Sequence, residues 1–225
     1  MLTTVPLFPL STVLMPGATL PLHIFEPRYR QLTIDLVTGA VPDRQFGVIA
    51  LREGFMPDRD GIDGLHNVGC TALLREAQRL PDGRFDIVTK GARRFHLHEL
   101  HVDAAPYLVG TVEWLPDAAT EPDNDQQVRF LSAAARAAHR KYCTTAWREG
   151  WQEPSRELEP ATLPHVLAGD CLLSITDRQR LLEQRCPTQR LRMIRKLLAT
   201  EAALLSELRA VPAPVASYAV EHSCN

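Results

Sequence analysis

The sequence predicts an α+β protein in which a strand-rich N-terminal part is followed by a helical C-terminal part. Two observations carry that prediction. From Val5 to Glu113, apolar residues come in short runs separated by Pro and Gly turns. After a stretch rich in Pro, Asp and Ala between Leu115 and Asp125, the apolar spacing changes from strand-like to helical. At 225 residues, and with roughly 150 residues per domain, the chain has room for one large domain or two small ones. The expected division is residues 1–117 as the β-rich part, 118–211 as a helical bundle and 212–225 as a flexible tail.

Taken in order, Val5 to Leu10 is the first strand. Met15-Pro16-Gly17 is a turn, because Pro presets φ and Gly permits the positive φ of a type II turn. Ala18 to Phe25 is the next extended run, and with Leu20, Leu22 and Ile24 alternating against Pro21, His23 and Phe25 it is expected to pack on both faces. Glu26-Pro27-Arg28-Tyr29 switches strand to helix, since Pro favours the first helical position. Tyr29, Leu32 and Leu36 form one apolar helical face, which Gly39 stops. Phe46 to Leu51, Val68 to Ala77, Phe85 to Thr89, Arg94 to Glu99 and Tyr107 to Trp114 are further strands. Leu80-Pro81-Asp82-Gly83 closes a hairpin between two of them.

Beyond the linker, an N-cap at Asp123 or Asn124 opens a helix with Val128, Leu131, Ala135, Ala138 and Tyr142 on its apolar stripe. Gly150 to Pro160 is a polar interruption, and Leu163 to Leu173 is a second helix with Pro164 in its first turn. Thr176 and Gln179 read as the capping box of a third helix. Leu191, Ile194, Leu198, Ala202, Leu205 and Leu208 mark a long last helix.

Composition narrows the function classes. With 25 basic residues against 27 acidic and only three lysines (Lys90, Lys141 and Lys196), the chain lacks the charge footprint of a nucleic-acid binder. The first charged residue is Glu26, but Pro6, Pro9, Pro16 and Pro21 break the uncharged start. It therefore reads as soluble β-type sequence, not a signal peptide or membrane anchor. Cys70, Cys143, Cys171, Cys186 and Cys224 include no C-x-x-C pair, which points to free thiols in a reducing compartment and to the cytoplasm.

Local motifs supply no catalytic or metal site. The sequence holds no G-x-S-x-G elbow, no G-x-x-x-x-G-K-[ST] loop and no G-x-G-x-x-G turn. His96, His98 and His101 alternate with Phe95 and Leu97, so the apolar pair is expected in the core and the histidines in solvent. Asp58, Asp60 and Asp63 miss the EF-hand pattern, because no Glu stands at its twelfth position. No cofactor and no metal are expected.

The opening of the chain resembles a known family. Pro6-Leu7-Phe8-Pro9-Leu10, Val13-Leu14-Met15-Pro16-Gly17 and Leu20 to Tyr29, with Phe25-Glu26-Pro27-Arg28-Tyr29 at its end, are similar to the start of the Lon protease N-terminal, substrate-binding domain. Val68-Gly69-Cys70, Lys90 to Phe95 and Pro106-Tyr107-Leu108 fit the same pattern, with Cys70 where the family usually has Thr. The resemblance implies a PUA-like, mostly antiparallel β pseudo-barrel followed by a helical bundle. It also implies a non-catalytic module that recognises unfolded or extended protein segments, because the ATPase and Ser–Lys protease motifs of Lon are missing here. An RNA-binding PUA-like protein and an unrecognised hydrolase are the alternatives. The F-E-P-R-Y residues are expected to be structural, with Glu26 and Arg28 as a buried pair. Trp147 and Trp151, in polar surroundings, are the candidate substrate-binding residues, beside a groove between barrel and bundle.

Overall fold

The structure, a computed structural model, describes residues 2–54, 61–118, 125–146 and 150–208. Asp58, Asp60, the expected N-cap at Asp123 or Asn124, Trp147, and the tail from 212 lie outside those residues. The chain divides into two compact units, Met1–Ala118 with Ile175–Arg185, and Ala119–Ser174 with Cys186–Asn225.

The first unit is built on a mixed six-stranded sheet of β1 (Leu2–Leu10), β2 (Thr19–Ile24), β3 (Gln45–Ala50), β4 (Val68–Arg79), β5 (Phe85–His101) and β6 (Val109–Trp114). β1 runs parallel to β3, and every other pairing is antiparallel. Because β6 pairs with both β1 and β5, five strands close into a ring in the order β1, β3, β4, β5, β6. That ring is the expected pseudo-barrel. β2 stands outside it, joined to the first half of β5.

Leu7, Ile49, Leu65, Phe95, Leu97, Leu108 and Val112 fill the barrel. Two glycines make this geometry possible. A Cβ on Gly69 would lie 2.4 Å from the Phe95 ring and 2.5 Å from the Val48 carbonyl oxygen, so this position must stay bare. A Cβ on Gly91 would lie against the carbonyl of Met15, where the Pro16-Gly17 turn crosses β5. Gly91 therefore lets the turn pack directly against the backbone of β5. The two strands expected at 85–89 and 94–99 are one continuous 17-residue strand that changes partners near this glycine.

The Met15-Pro16-Gly17 turn and the Leu80-to-Gly83 hairpin form as expected, with Gly17 at φ 82° and Gly83 at φ 81°. Helix α1 (Pro27–Thr38) buries Tyr29, Leu32, Thr33 and Leu36 and ends on Gly39 in the left-handed region. Tyr29 stacks on Phe8 with ring centroids 3.8 Å apart, which ties the helix to β1.

The second unit contains α2 (Asp125–Thr145), α3 (Leu163–Gly169) and α5 (Pro187–Leu208). The stripes that pack are those read from the sequence: Leu131, Ala135 and Tyr142 on α2, and Leu191, Ile194, Leu198 and Ala202 on α5. The second helix stops at Gly169, short of the Leu173 expected.

Helix α4 (Ile175–Glu183) departs from expectation in two ways. Sequence order assigns it to the bundle, but it packs with the barrel. Gln179 is not the far end of a capping box: its buried side chain donates to the Val68 carbonyl, 2.9 Å away, and to Glu183. Arg94, on β5 next to the core residue Phe95, completes the attachment. Its guanidinium donates to the carbonyls of Leu182 (2.6 Å) and Gln184 (2.9 Å) and pairs with Asp117 at 2.5 Å.

Candidate functional site

The F-E-P-R-Y residues occupy the corner between β2 and α1. The Glu26 carbonyl accepts the amides of Tyr29 and Arg30, which starts the helix. Its carboxylate makes no cap; it accepts from Arg28 Nε at 3.0 Å. Arg28 also lies 5.0 Å from the Tyr29 ring centroid. The expected buried pair is not buried: the two side chains are 30% (Arg28) and 40% (Glu26) exposed. The reason is the corner itself, which turns these side chains outward while Tyr29 turns in.

The same corner corrects the reading of β2. Ile24 is buried and Leu20 and Leu22 are half-buried, but Pro21 and His23 are exposed and Phe25 is 62% exposed. The strand packs on one face only. Its outward face continues across Val88, Asp86, Glu76 and Gln78 of the neighbouring strands, and an open hollow of about 440 Å³ lies there. His23 Nδ1 is 2.6 Å from Asp86, and Arg84 reaches His23 Nε2 at 3.1 Å.

β2 also has a free edge, since among the described residues it pairs with β5 alone. Gly91 N–H donates to the Ala18 carbonyl, and Thr89 Oγ1 donates to the Leu20 carbonyl. Antiparallel alternation then aims the even-numbered residues of β2 at β5 and the backbone of Thr19, Pro21 and His23 outward. Two N–H groups and three carbonyls face away from the sheet, with Pro21 withholding the middle donor. An edge of this kind is a template for another extended chain, and the proline limits how far such pairing runs.

Trp151 is half-buried and meets the ring of His139 edge-on, with centroids 5.8 Å apart. The segment that carries it is fastened to α2, where Arg136 donates to the carbonyls of Pro154 and Ser155 and Arg140 pairs with Glu153 at 2.8 Å. The Arg140 hydrogen bond also holds the Glu153 carboxyl below its ordinary range.

One grouping escaped sequence reasoning, because its members come together only through the fold. His139 Nε2 lies 3.5 Å from Cys143 Sγ and 3.1 Å from Asp170 Oδ2. A Cys–His–Asp relay needs thiol and carboxylate on opposite ring nitrogens, so that the proton can pass through the imidazole. Here both meet the same nitrogen, and Cys143 is fully buried. The cluster fixes helix packing and is not built for nucleophilic attack. Of the β5 histidines, His98 lies 3.2 Å from Glu113 and His101 2.7 Å from Thr111, whereas His96 has a buried Nδ1 without a hydrogen-bond partner among the described residues. Among the described residues, no group of three His, Cys, Asp or Glu side chains converges as a metal would require. No helix of those residues is long and apolar enough to cross a membrane.

Comparison with known proteins agrees with this architecture. Residues 4–200 match the family described as the ATP-dependent protease La (LON) substrate-binding domain. Lon protease 1 of Herpetosiphon aurantiacus is 25% identical over 199 residues, covering 87% of this chain but 24% of that protein. The chain thus spans about a quarter of the length of such relatives. A crystal structure of a Lon N-terminal domain protein from Xanthomonas campestris superposes with a TM-score of 0.60 at 27% identity, covering 88% of this chain and 98% of that one. The N-terminal domain of Mycobacterium avium complex Lon protease shares the fold, with a TM-score of 0.64 at 18% identity and the same coverage of each chain. The chain belongs to the Lon substrate-binding domain family.

Proposed function

We propose that this chain is a non-catalytic, cytoplasmic module that holds unfolded or extended protein segments and serves as an adaptor presenting them to a protease. The observation that carries the reading is the free outer edge of β2, flanked by exposed Phe25 and Pro21. Backbone pairing is indifferent to sequence, which suits a receptor for varied unfolded clients, and exposed apolar side chains beside the edge add affinity. Pro21 interrupts the pairing, so each client is held by a few bonds and released readily. Trp151, with Trp147 beside it in sequence, is proposed as a second apolar contact for the same clients.

The test is fluorescence anisotropy with a labelled unfolded peptide and the same peptide N-methylated at alternate residues. N-methylation preserves the side chains and removes the donors an edge strand needs. Binding of the unmodified peptide and its loss on methylation are the expected results. Equal binding of both peptides would overturn the edge, and no binding of either would overturn the module. Trp151→Ala in the same assay is expected to weaken binding, and unchanged affinity would remove that residue from the site.

A further inference from the structure

The helical unit carries a surface that client holding at β2 does not use. An open groove of about 810 Å³ runs between the start of α2 and the face of α5 from Arg192 to Glu207. The packed stripe of α5 is Leu191, Ile194, Leu198 and Ala202. One residue further round the helix, Arg192, Lys196, Ala199 and Ala203 recur at spacings of four, three and four, forming a second stripe that lines the groove. Ala199 and Ala203, one turn apart, sink its floor. Phe130 of α2, 67% exposed, and Leu204, 45% exposed, stand on its sides.

The charges are not distributed like the apolar floor. Arg192, Arg195 and Lys196 line one end, and none of them forms an ion pair among the described residues. Among the described residues, the only acid lining the groove is Glu207, at the opposite end. The whole chain has a net charge of -2, so a basic wall here is a local arrangement and not the general character of the surface.

We infer that this groove docks an acidic amphipathic helix of a partner protein. The apolar face of that helix lies on Ala199, Ala203, Phe130 and Leu204, and its carboxylates face Arg192, Arg195 and Lys196. From residue 192 to residue 204, α5 spans about 18 Å, at about 1.5 Å per residue, which fits roughly three turns of a partner helix. A groove between two helices seats a third by ridge-and-groove packing, and an acidic flank supplies register as well as attraction. A duplex nucleic acid is a poorer match, because three cations around an apolar floor neutralise few phosphates and leave Phe130 and Leu204 against a polar backbone. The contact is small, which places it among transient interactions.

The test uses the full chain and a synthetic 20-residue helical peptide with leucines at i, i+3, i+4 and i+7 and glutamates along one flank. A second peptide has lysine at every glutamate position. The parent chain is expected to bind the glutamate peptide at least about tenfold more tightly than the lysine peptide, with the difference shrinking as salt rises. The double variant R195E/K196E is expected to reverse that preference and to leave binding of an unfolded polypeptide unchanged. Equal affinity of the parent for both peptides, or no binding of the glutamate peptide, overturns the proposal without needing any variant to fold. Displacement of the peptide by an equal concentration of duplex DNA overturns it in favour of a nucleic-acid site.

Discussion

Arg94 and Arg28 show at the scale of single residues how burial decides what an ion pair is worth. Arg94 has a side chain only 5% exposed and gives up water for two carbonyls and Asp117. Losing one partner of a buried pair costs about 3–5 kcal/mol, and because Asp117 is 33% exposed and can rehydrate, the lower end applies. Arg94→Ala is therefore expected to lower stability by about 3 kcal/mol in denaturant unfolding. Arg94→Lys should recover only part of this, since a lysine lacks the planar fork that reaches all three acceptors. The exposed Glu26–Arg28 pair predicts the opposite. Either alanine variant should cost less than about 1 kcal/mol, whereas Tyr29→Ala should cost about 3 kcal/mol or more, because it empties the stack against Phe8. A larger loss for Glu26→Ala than for Tyr29→Ala would refute this ordering. Tyr107 adds a pH dependence: burial first, and donation to Asp35 second, push its phenol up to about 12. A raised folded-state value means the contribution is complete below the ordinary phenol range near pH 10 and is lost as pH climbs toward 12. Tyr107→Phe should flatten the fall in stability over that window.

Elements legible in the sequence are those whose signals are local. The Pro16-Gly17 turn, the Asp82-Gly83 hairpin, the Pro27 start and Gly39 stop of α1, and the packed stripes of α2 and α5 each depend on residues within a turn or two of one another. What could not be read depends on contacts far along the chain. Nothing near Lys90 announces that β5 continues, because the cause is the Met15 carbonyl resting where a Cβ at Gly91 would be. Nothing in α4 announces its place on the barrel, because its anchors are Val68 and Arg94. β2 looked apolar on both faces because Pro21 and Phe25 count as apolar, and only its edge position explains why both are exposed. The crossing at Gly91 is open to direct test. A Cβ there meets backbone that cannot swing aside, so Gly91→Ala should destabilise the chain by about 1–3 kcal/mol through forced displacement. Hydrogen exchange should show weakened protection at Gly17 and Gly91, whose amides bond across this crossing. Unchanged protection at both would mean the turn is held by something else.

For the molecule as a whole, the family match and the sequence motifs lead to one expectation about turnover. Residues 4–200 match a substrate-binding domain, while the sequence in hand contains no G-x-x-x-x-G-K-[ST] loop with which to cradle ATP phosphates. Where Cys143, His139 and Asp170 meet among the described residues, the contacts are wired through a single imidazole nitrogen. The proposed role, binding without chemistry, sets the expectation for turnover. The purified chain is therefore expected to bind unfolded casein while leaving it uncleaved and to hydrolyse no ATP above a heat-killed control. Salt then separates the two proposed surfaces. Backbone pairing and apolar contact at β2 should survive a rise in ionic strength that shortens the screening length to about 3 Å at 1 M. A peptide held by Arg192, Arg195 and Lys196 should be released under the same conditions. Casein binding that disappears at high salt would mean that charge, not the open edge of β2, holds the client, and ATP-dependent cleavage would show that the chain does more than bind.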